Sequence, residues 1–165
     1  MKDLVKRNTK VALTLCLAVL GTAVARADCQ NVFGTITETQ IPAPNDPLGR
    51  SLANVYGVLN GANTAVITSS SPDGLNATSL DVFLTTRGDV LTATGAVTLT
   101  PIPGNLSDLT LFVTLTVTGG SGKYAGATGT LTYQGLANVD AAGTFHVHAT
   151  YRGSVCGPHV KAEGD

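Results

Sequence analysis

From Val32 onward the chain consists of eight short runs rich in Thr, Val, Leu and Ala, and clusters of Gly, Pro, Asn or Asp separate these runs. The runs show no 3.6-residue periodicity, so the pattern is typical of an all-β protein. Eight strands with mostly short connections predict an antiparallel up-and-down meander that closes into a barrel, because closure removes the exposed edges of an open sheet. A two-sheet sandwich is the alternative.

Alternation within two of the runs predicts which side chains face the core. On the sixth run one face is apolar and the other is mostly threonine; the apolar face comprises Leu109, Leu111, Val113, Leu115 and Val117. On the eighth run the predicted inner face comprises Phe145, Val147, Ala149, Tyr151 and Val155.

The first 27 residues have the order of a secretory signal peptide: basic residues, the apolar run VALTLCLAVLGTAV, then ARA before Asp28. The apolar run has 14 residues, fewer than the roughly 20 that a membrane-spanning helix needs. We therefore predict cleavage after Ala27, a secreted or periplasmic location and no stable membrane insertion; an uncleaved anchor is the alternative. Residues 28–165 then form a single domain.

Charge limits the partners of this domain. Residues 28–165 carry five Lys and Arg against ten Asp and Glu, a net charge of about −5. The negative sign disfavours nucleic acid and anionic lipid surfaces.

Cys29 and Cys156 are the two cysteines that follow the predicted signal peptide. In an oxidising compartment two such cysteines usually pair. Their disulfide would join the start of the first strand to the end of the eighth, which are the strands that must pair to close a barrel. A reactive thiol is the alternative, but neither cysteine lies in a CxxC motif.

The segment VTGGSGKYAGATGTLTY, residues 117–133, contains five glycines and raises the question of a phosphate-binding loop. A Walker loop needs Gly-Lys followed by Ser or Thr, whereas Tyr124 follows Lys123 here. A dinucleotide fingerprint needs a helix after its glycines, whereas a β-rich run follows. We therefore predict that the glycines turn the chain between the sixth and seventh strands.

The same segment carries a family resemblance. Residues 115–136, LTVTGGSGKYAGATGTLTYQGL, with FHVHATYRG at 145–153, resemble the strand–turn–strand of plant allene oxide cyclases and dirigent proteins. Upstream, NDPLGRSLANVYG at 45–57 is similar to a dirigent segment. The resemblance implies a calycin-like eight-stranded barrel of the allene oxide cyclase type, whose lumen binds an apolar molecule without a cofactor.

Glu38 is the catalytic candidate that the resemblance implies, because allene oxide cyclases use a glutamate near the end of the first strand. Glu38 is the only carboxylate in the first run and shares its parity with Val32 and Ile36. A carboxylate on an apolar face is costly to bury unless it is partnered or functional. A strand-end residue that turns into solvent is the alternative. Gln40 has the same parity and could orient Glu38 or a ligand.

Four further residues are ligand-binding candidates. Asp46 matches the aspartate of the dirigent segment, although an Asp-Pro turn would also explain it. Asn54 and Tyr56 alternate on the second strand and could form a hydrogen-bonding pair at the barrel mouth, unless Tyr56 only packs in the wall. Asp81 is either an inward carboxylate or a polar residue at a strand edge.

The eighth run adds basic candidates. Arg152 could hold a substrate carboxylate with two parallel hydrogen bonds, or it is a surface residue. His146 and His148 share one face at a spacing that permits metal ligation, but a third ligand requires His159 to fold back. We therefore predict no metal.

These observations predict an exported barrel that binds a small apolar molecule; if the barrel is an enzyme, its reaction is a cofactor-free cyclisation or isomerisation. The resemblance to oligomeric plant proteins also implies a homo-oligomer. The alternative is a non-catalytic barrel with a packed interior. Small wall residues either leave room for a ligand or allow tight coiling; they are Ala53, Gly57, Ala93 and Gly95.

Overall fold

The computed structural model describes residues 28–43 and 46–161, without the side chains of 42–47 and 106. The predicted signal peptide lies outside this range. Eight strands follow one another: β1 (Asp28–Ala43), β2 (Asp46–Gly57), β3 (Gly61–Ser70), β4 (Asn76–Thr85), β5 (Val90–Ile102), β6 (Asn105–Ser121), β7 (Thr128–Val139) and β8 (Phe145–Gly157). No helix in the described ranges is long and apolar enough to cross a membrane.

Each strand pairs antiparallel with the next, and β1 pairs with β8 to close the barrel. The closing register contains 12 residue pairs, from Asp28 opposite Gly157 to Thr39 opposite His146. The predicted eight-stranded up-and-down barrel is therefore confirmed, and the sandwich alternative is wrong.

The predicted disulfide is present at the start of this closing register. Cys29 lies directly opposite Cys156 and is bonded to it, across 127 residues of sequence. The covalent bond thus joins the two strands whose pairing closes the sheet.

The connections are shorter than the turn residues suggested. The sequence TPIPGNLSD indicated a loop over 100–108, but β5 and β6 continue through most of it, and Ile102 pairs with Asn105. Only Pro103 and Gly104 form the turn, since Gly104 adopts a φ of 82° that favours glycine. Similarly, the sequence PAPNDPLGR indicated a loop over 42–50, but β2 already begins at Asp46.

The inner face of the barrel follows the predicted alternation. On β6, residues 111, 113, 115 and 117 are buried, with Leu109 partly buried, while Phe112 on the other face is exposed. On β8, Val147, Ala149, Tyr151 and Val155 are buried. Apolar residues of all eight strands therefore point into one lumen.

The end of the barrel that carries the disulfide is filled, and we call it the closed end. The glycine-rich segment forms a single 3₁₀ turn, Gly122–Tyr124, between β6 and β7, as predicted for a chain reversal. Gly122 has a φ of 62°, and the Lys123 amide donates to Asp89 Oδ1 at 3.0 Å. The turn buries the ring of Tyr124 completely.

A second contact fixes the closed end from within. Leu59, which follows β2, is fully buried, and its amide donates to the hydroxyl of Tyr151 at 2.9 Å. Val160, after β8, is also buried. Three chain segments therefore cover this end of the lumen.

Removal of the disulfide should lower the free energy of unfolding of the closed barrel. We expect the double variant Cys29→Ser/Cys156→Ser to lose about 2–5 kcal/mol of unfolding free energy, because the unfolded chain regains the freedom of a very long loop. Urea unfolding would measure the loss, and the reduced wild-type protein is the control. Equal stability of the variant and the oxidised protein would contradict this role.

Candidate functional site

The half of the lumen away from the disulfide is hollow. A cavity of about 370 Å³ lies there, between the inner walls of the strands. Its wall is mainly apolar and includes Ala65, Val97, Leu111, Val113 and Val147. Among the described loops, the β3–β4 turn contributes Asp73, Gly74 and Leu75 to its mouth. The interior is thus packed at the closed end and open at the other, which we call the open end.

Glu38 points into this cavity, as its parity with Val32 and Ile36 predicted. On β1 it lies opposite Ala53 of β2 and Val147 of β8. Burial raises the pKa of Glu38 above its usual value; the neighbouring Ser51 hydroxyl lowers this pKa, and the Asp81 carboxylate raises it. The alternative of a strand end in solvent does not describe this side chain.

Asp81 is the second carboxyl in the cavity and is 4% exposed. Ser79 Oγ donates to its Oδ2 at 2.6 Å, and Asn63 Nδ2 donates to its Oδ1 at 3.3 Å. Burial raises the pKa of Asp81, whereas these two hydrogen bonds lower it. The alternative of an edge residue is wrong, because Asp81 is an inward carboxyl. We refer to Glu38 and Asp81 as the carboxyl pair.

Tyr133 on β7 completes the polar part of the cavity wall. The residue is 3% exposed, and its hydroxyl has no hydrogen-bond partner among the described residues. Its ring packs edge-on against Phe83 at 6.5 Å and Tyr151 at 6.1 Å between ring centroids. Burial, followed by the charges of Asp81 and Glu38, raises the pKa of Tyr133 well above its usual value. Tyr133 is therefore a neutral phenol between the packed and hollow halves of the lumen.

Sequence reasoning missed Tyr133, Ser51, Ser79 and Asn63 as site residues. Strand alternation could have placed Tyr133 inward, because it lies two residues after the apolar Leu131 and therefore on the same face of β7; both are buried. The contacts of Ser79 and Asn63 with Asp81 depend on the pairing of β3 with β4, which no single run reveals.

Gly95 makes room for these contacts. A Cβ at this position would lie 2.1 Å from Ser79 Oγ and 3.2 Å from Asp81 Oδ2. Gly57, by contrast, has a φ of 107°, and a Cβ there would approach the backbone oxygen of Phe33 to 2.4 Å. Of these two small wall residues, one leaves space for polar side chains and the other allows tight coiling.

Gln40 lies in the described part of the cavity wall, whereas the side chain of Asp46 does not. Gln40 lines the cavity and pairs with Ser51 across β1 and β2, so it lies near Glu38 on the side of the mouth. Arg50 and Leu48 also line this region. Asp46 begins β2, but its side chain lies outside the described residues, and its ligand-binding role stays a prediction.

Three candidates lie on the outer wall instead. Asn54 and Tyr56 alternate with the buried Ala53 and Val55 and point outward, with Tyr56 56% exposed. Arg152 is likewise exposed, on the face of β8 opposite to Tyr151. Strand alternation therefore turns Asn54, Tyr56 and Arg152 away from the lumen, and Arg152 is the surface residue of the alternative interpretation. Their ligand-binding roles stay predictions.

The histidines do not converge. His146 Nε2 lies 3.0 Å from Asp140 Oδ2, and its Nδ1 lies 3.3 Å from Thr39 Oγ1, near the open end. His148 is exposed on the outer wall, and His159 follows β8 at the closed end. His159 is therefore on the wrong end of the barrel to complete a metal site with the other two.

Replacing Glu38 by Gln should change how stability depends on pH. Because the pKa of folded Glu38 is raised, its ionisation costs stability as the pH rises from the usual glutamate range, near about 4, through the raised value. We expect Glu38→Gln to melt at a higher temperature than wild type at pH 8, with the difference shrinking towards pH 4. Thermal unfolding at both pH values measures this, with Asp28→Asn at an exposed site of the same strand as control. A wild-type advantage at pH 8 would contradict the account.

Replacing Gly95 by Ala should disturb the setting of Asp81. We expect a loss of about 1–3 kcal/mol in unfolding free energy, because the added methyl overlaps Ser79 and also approaches Leu115 Cδ2 to 2.9 Å. Urea unfolding would measure it, and Thr94→Ala, an exposed neighbour on β5, is the control. If Gly95→Ala were as stable as this control, the close packing would not be required.

Comparisons with known proteins give little beyond this geometry. No family model and no curated protein matches the chain. Among solved structures, the chain is similar to the pterocarpan synthase dirigent protein GePTS1, with a TM-score of 0.35 and 10% sequence identity over 85% of this chain and 90% of that one. We base no functional argument on a similarity of this size, and the resemblance to allene oxide cyclases stays a prediction.

Proposed function

We propose that this protein is an exported barrel that binds a small, mainly apolar molecule in the open half of its lumen. The observation that carries the proposal is the cavity of about 370 Å³, which falls within the range of roughly 300–1,000 Å³ typical of small-molecule sites. The disulfide supports an oxidising location for the protein.

The chemistry of the wall supports an apolar ligand body. Strands β5, β6 and β8 supply aliphatic side chains on their inner faces, including Val97, Leu111 and Val147. Burial of apolar ligand surface against such a wall is favourable by about 25 cal/mol for each Å² removed from water. The few polar groups, Glu38, Asp81 and Tyr133, would then fix the orientation of the ligand.

The same polar groups favour a second candidate function, a cofactor-free isomerase or cyclase. The apolar wall would hold a flexible substrate in a folded conformation, which lowers the entropic part of the barrier. Glu38 would stabilise positive charge that develops during the reaction. The observation in favour is the placement of Glu38 beside Asp81 in a low-dielectric cavity, where such electrostatic effects are strong. Loss of turnover in a folded Glu38→Gln variant would test this role.

A larger side chain that fills the cavity should weaken ligand binding. We expect Ala65→Phe to weaken binding of 1-naphthylmethanol by roughly tenfold or more, because the new ring occupies the cavity that Ala65 lines. Fluorescence titration measures the binding, and the absence of Trp from the chain leaves the naphthyl emission distinct.

Ala62→Phe is the matched control for this variant. Ala62 lies on the same strand as Ala65 but is exposed on the outer wall, so its replacement leaves the lumen unchanged. Circular dichroism would verify that both variants fold. Absence of probe binding to the wild-type protein, or equal binding by the two variants, would overturn the proposed function.

A further inference from the structure

We infer that the ligand of this cavity carries a basic nitrogen, and that its ammonium group binds between Glu38, Asp81 and the hydroxyl of Tyr133. The inference rests on the proposed function, since it assigns a chemical class to the molecule in the lumen. Its starting point is the arrangement of charge and unpaired polar atoms around the cavity.

The first step concerns charge. Glu38 and Asp81 face the same cavity; burial raises the pKa of Glu38, and the Asp81 carboxylate adds to that rise. Within the described lining, Arg50 is the only basic residue, and it is exposed on the side of the mouth. Two carboxyls that share an apolar enclosure repel each other when both ionise. A cation placed between them would remove that repulsion and stabilise both anions.

The second step concerns the hydrogen bonds that Asp81 already has. Ser79 and Asn63 donate to Asp81, but both are neutral, so they orient the carboxylate without balancing its charge. Gly95 leaves the space in which Ser79 and Asp81 meet. The chain therefore holds a buried carboxyl group in a fixed orientation inside a mainly apolar lumen.

The third step concerns the hydroxyl of Tyr133. Tyr133 lines the cavity, and its buried hydroxyl has no hydrogen-bond partner among the described residues. A buried polar group without a partner is costly, at about 1–3 kcal/mol. The unpaired, buried hydroxyl of this cavity-lining residue therefore supports a polar ligand group beside Tyr133.

An ammonium group matches this set better than other polar groups do. A primary ammonium has three N–H donors and no acceptor. Glu38, Asp81 and the oxygen of Tyr133 can each accept one of these hydrogen bonds. A ligand carboxylate would instead add a further negative charge beside the carboxyl pair, and a neutral alcohol would bring no positive charge to it.

Three probes of one shape test the inference: 1-naphthylmethylamine, 1-naphthylmethanol and 1-naphthoate, titrated by fluorescence near pH 7.4. We expect the amine to bind roughly tenfold or more tightly than the alcohol, as for other charge-assisted hydrogen bonds in enclosed sites. The carboxylate should bind most weakly. Equal affinity of the amine and the alcohol would overturn the inference while leaving the proposed function intact, whereas failure of all three probes would overturn the proposed function.

Variants separate the lumen from the surface charge of the protein. Glu38→Gln and Asp81→Asn should each reduce the ratio of amine affinity to alcohol affinity, because each removes one negatively charged acceptor of the ammonium group. Asp28→Asn removes one negative charge from the exposed closed end and should leave the preference as it is. If the preference survives the double variant Glu38→Gln/Asp81→Asn, or if Asp28→Asn reduces it equally, the amine is bound by general surface charge and the inference is wrong. Circular dichroism verifies that each variant is folded.

Discussion

The pairing of β1 with β8 is the interaction on which the rest of this structure depends. It turns a meander of neighbouring hairpins into a closed wall, so that every inner face meets one common lumen. The disulfide between Cys29 and Cys156 lies at the start of that pairing. Glu38 lies on the same strand and faces Val147 of β8 across the closing register. The pairing of β1 with β8 therefore both closes the barrel and sets the position of Glu38 on its inner wall.

The lumen is divided between stability and binding. Towards the disulfide, Leu59, Phe83 and Tyr124 fill the interior completely. Towards the other end the side chains no longer meet, and the cavity begins at the level of Tyr133 and the carboxyl pair. The packed half supplies the apolar burial that offsets the cost of two desolvated carboxyls. This division explains how a small domain can tolerate buried acidic groups.

The sequence predicted what a single strand determines. Alternation indicated that Glu38 shares a face with Val32 and Ile36, and it assigned both faces of β6 and β8. It could not tell which polar residues of different strands meet, because that depends on the registers between β3, β4 and β5. For this reason Ser79 and Asn63 were missed, although both hold Asp81. Asn54 and Tyr56 share one face of β2, as their spacing indicated, but this is the outer face, because Ala53 and Val55 of the opposite parity are buried.

The filled closed end also affects how a ligand reaches and leaves the cavity. Within the described ranges the cavity is bounded on one side by packed aromatic side chains such as Tyr133, and on the other by turns such as residues 71–75. Because described side chains fill the closed end, a bound molecule would enter and leave past the turns of the open end, where an incoming molecule would compete with an outgoing one. For a carrier, this geometry slows escape and prolongs retention. If the protein is a catalyst, product release past the hairpins of the open end would be the rate-limiting step of turnover.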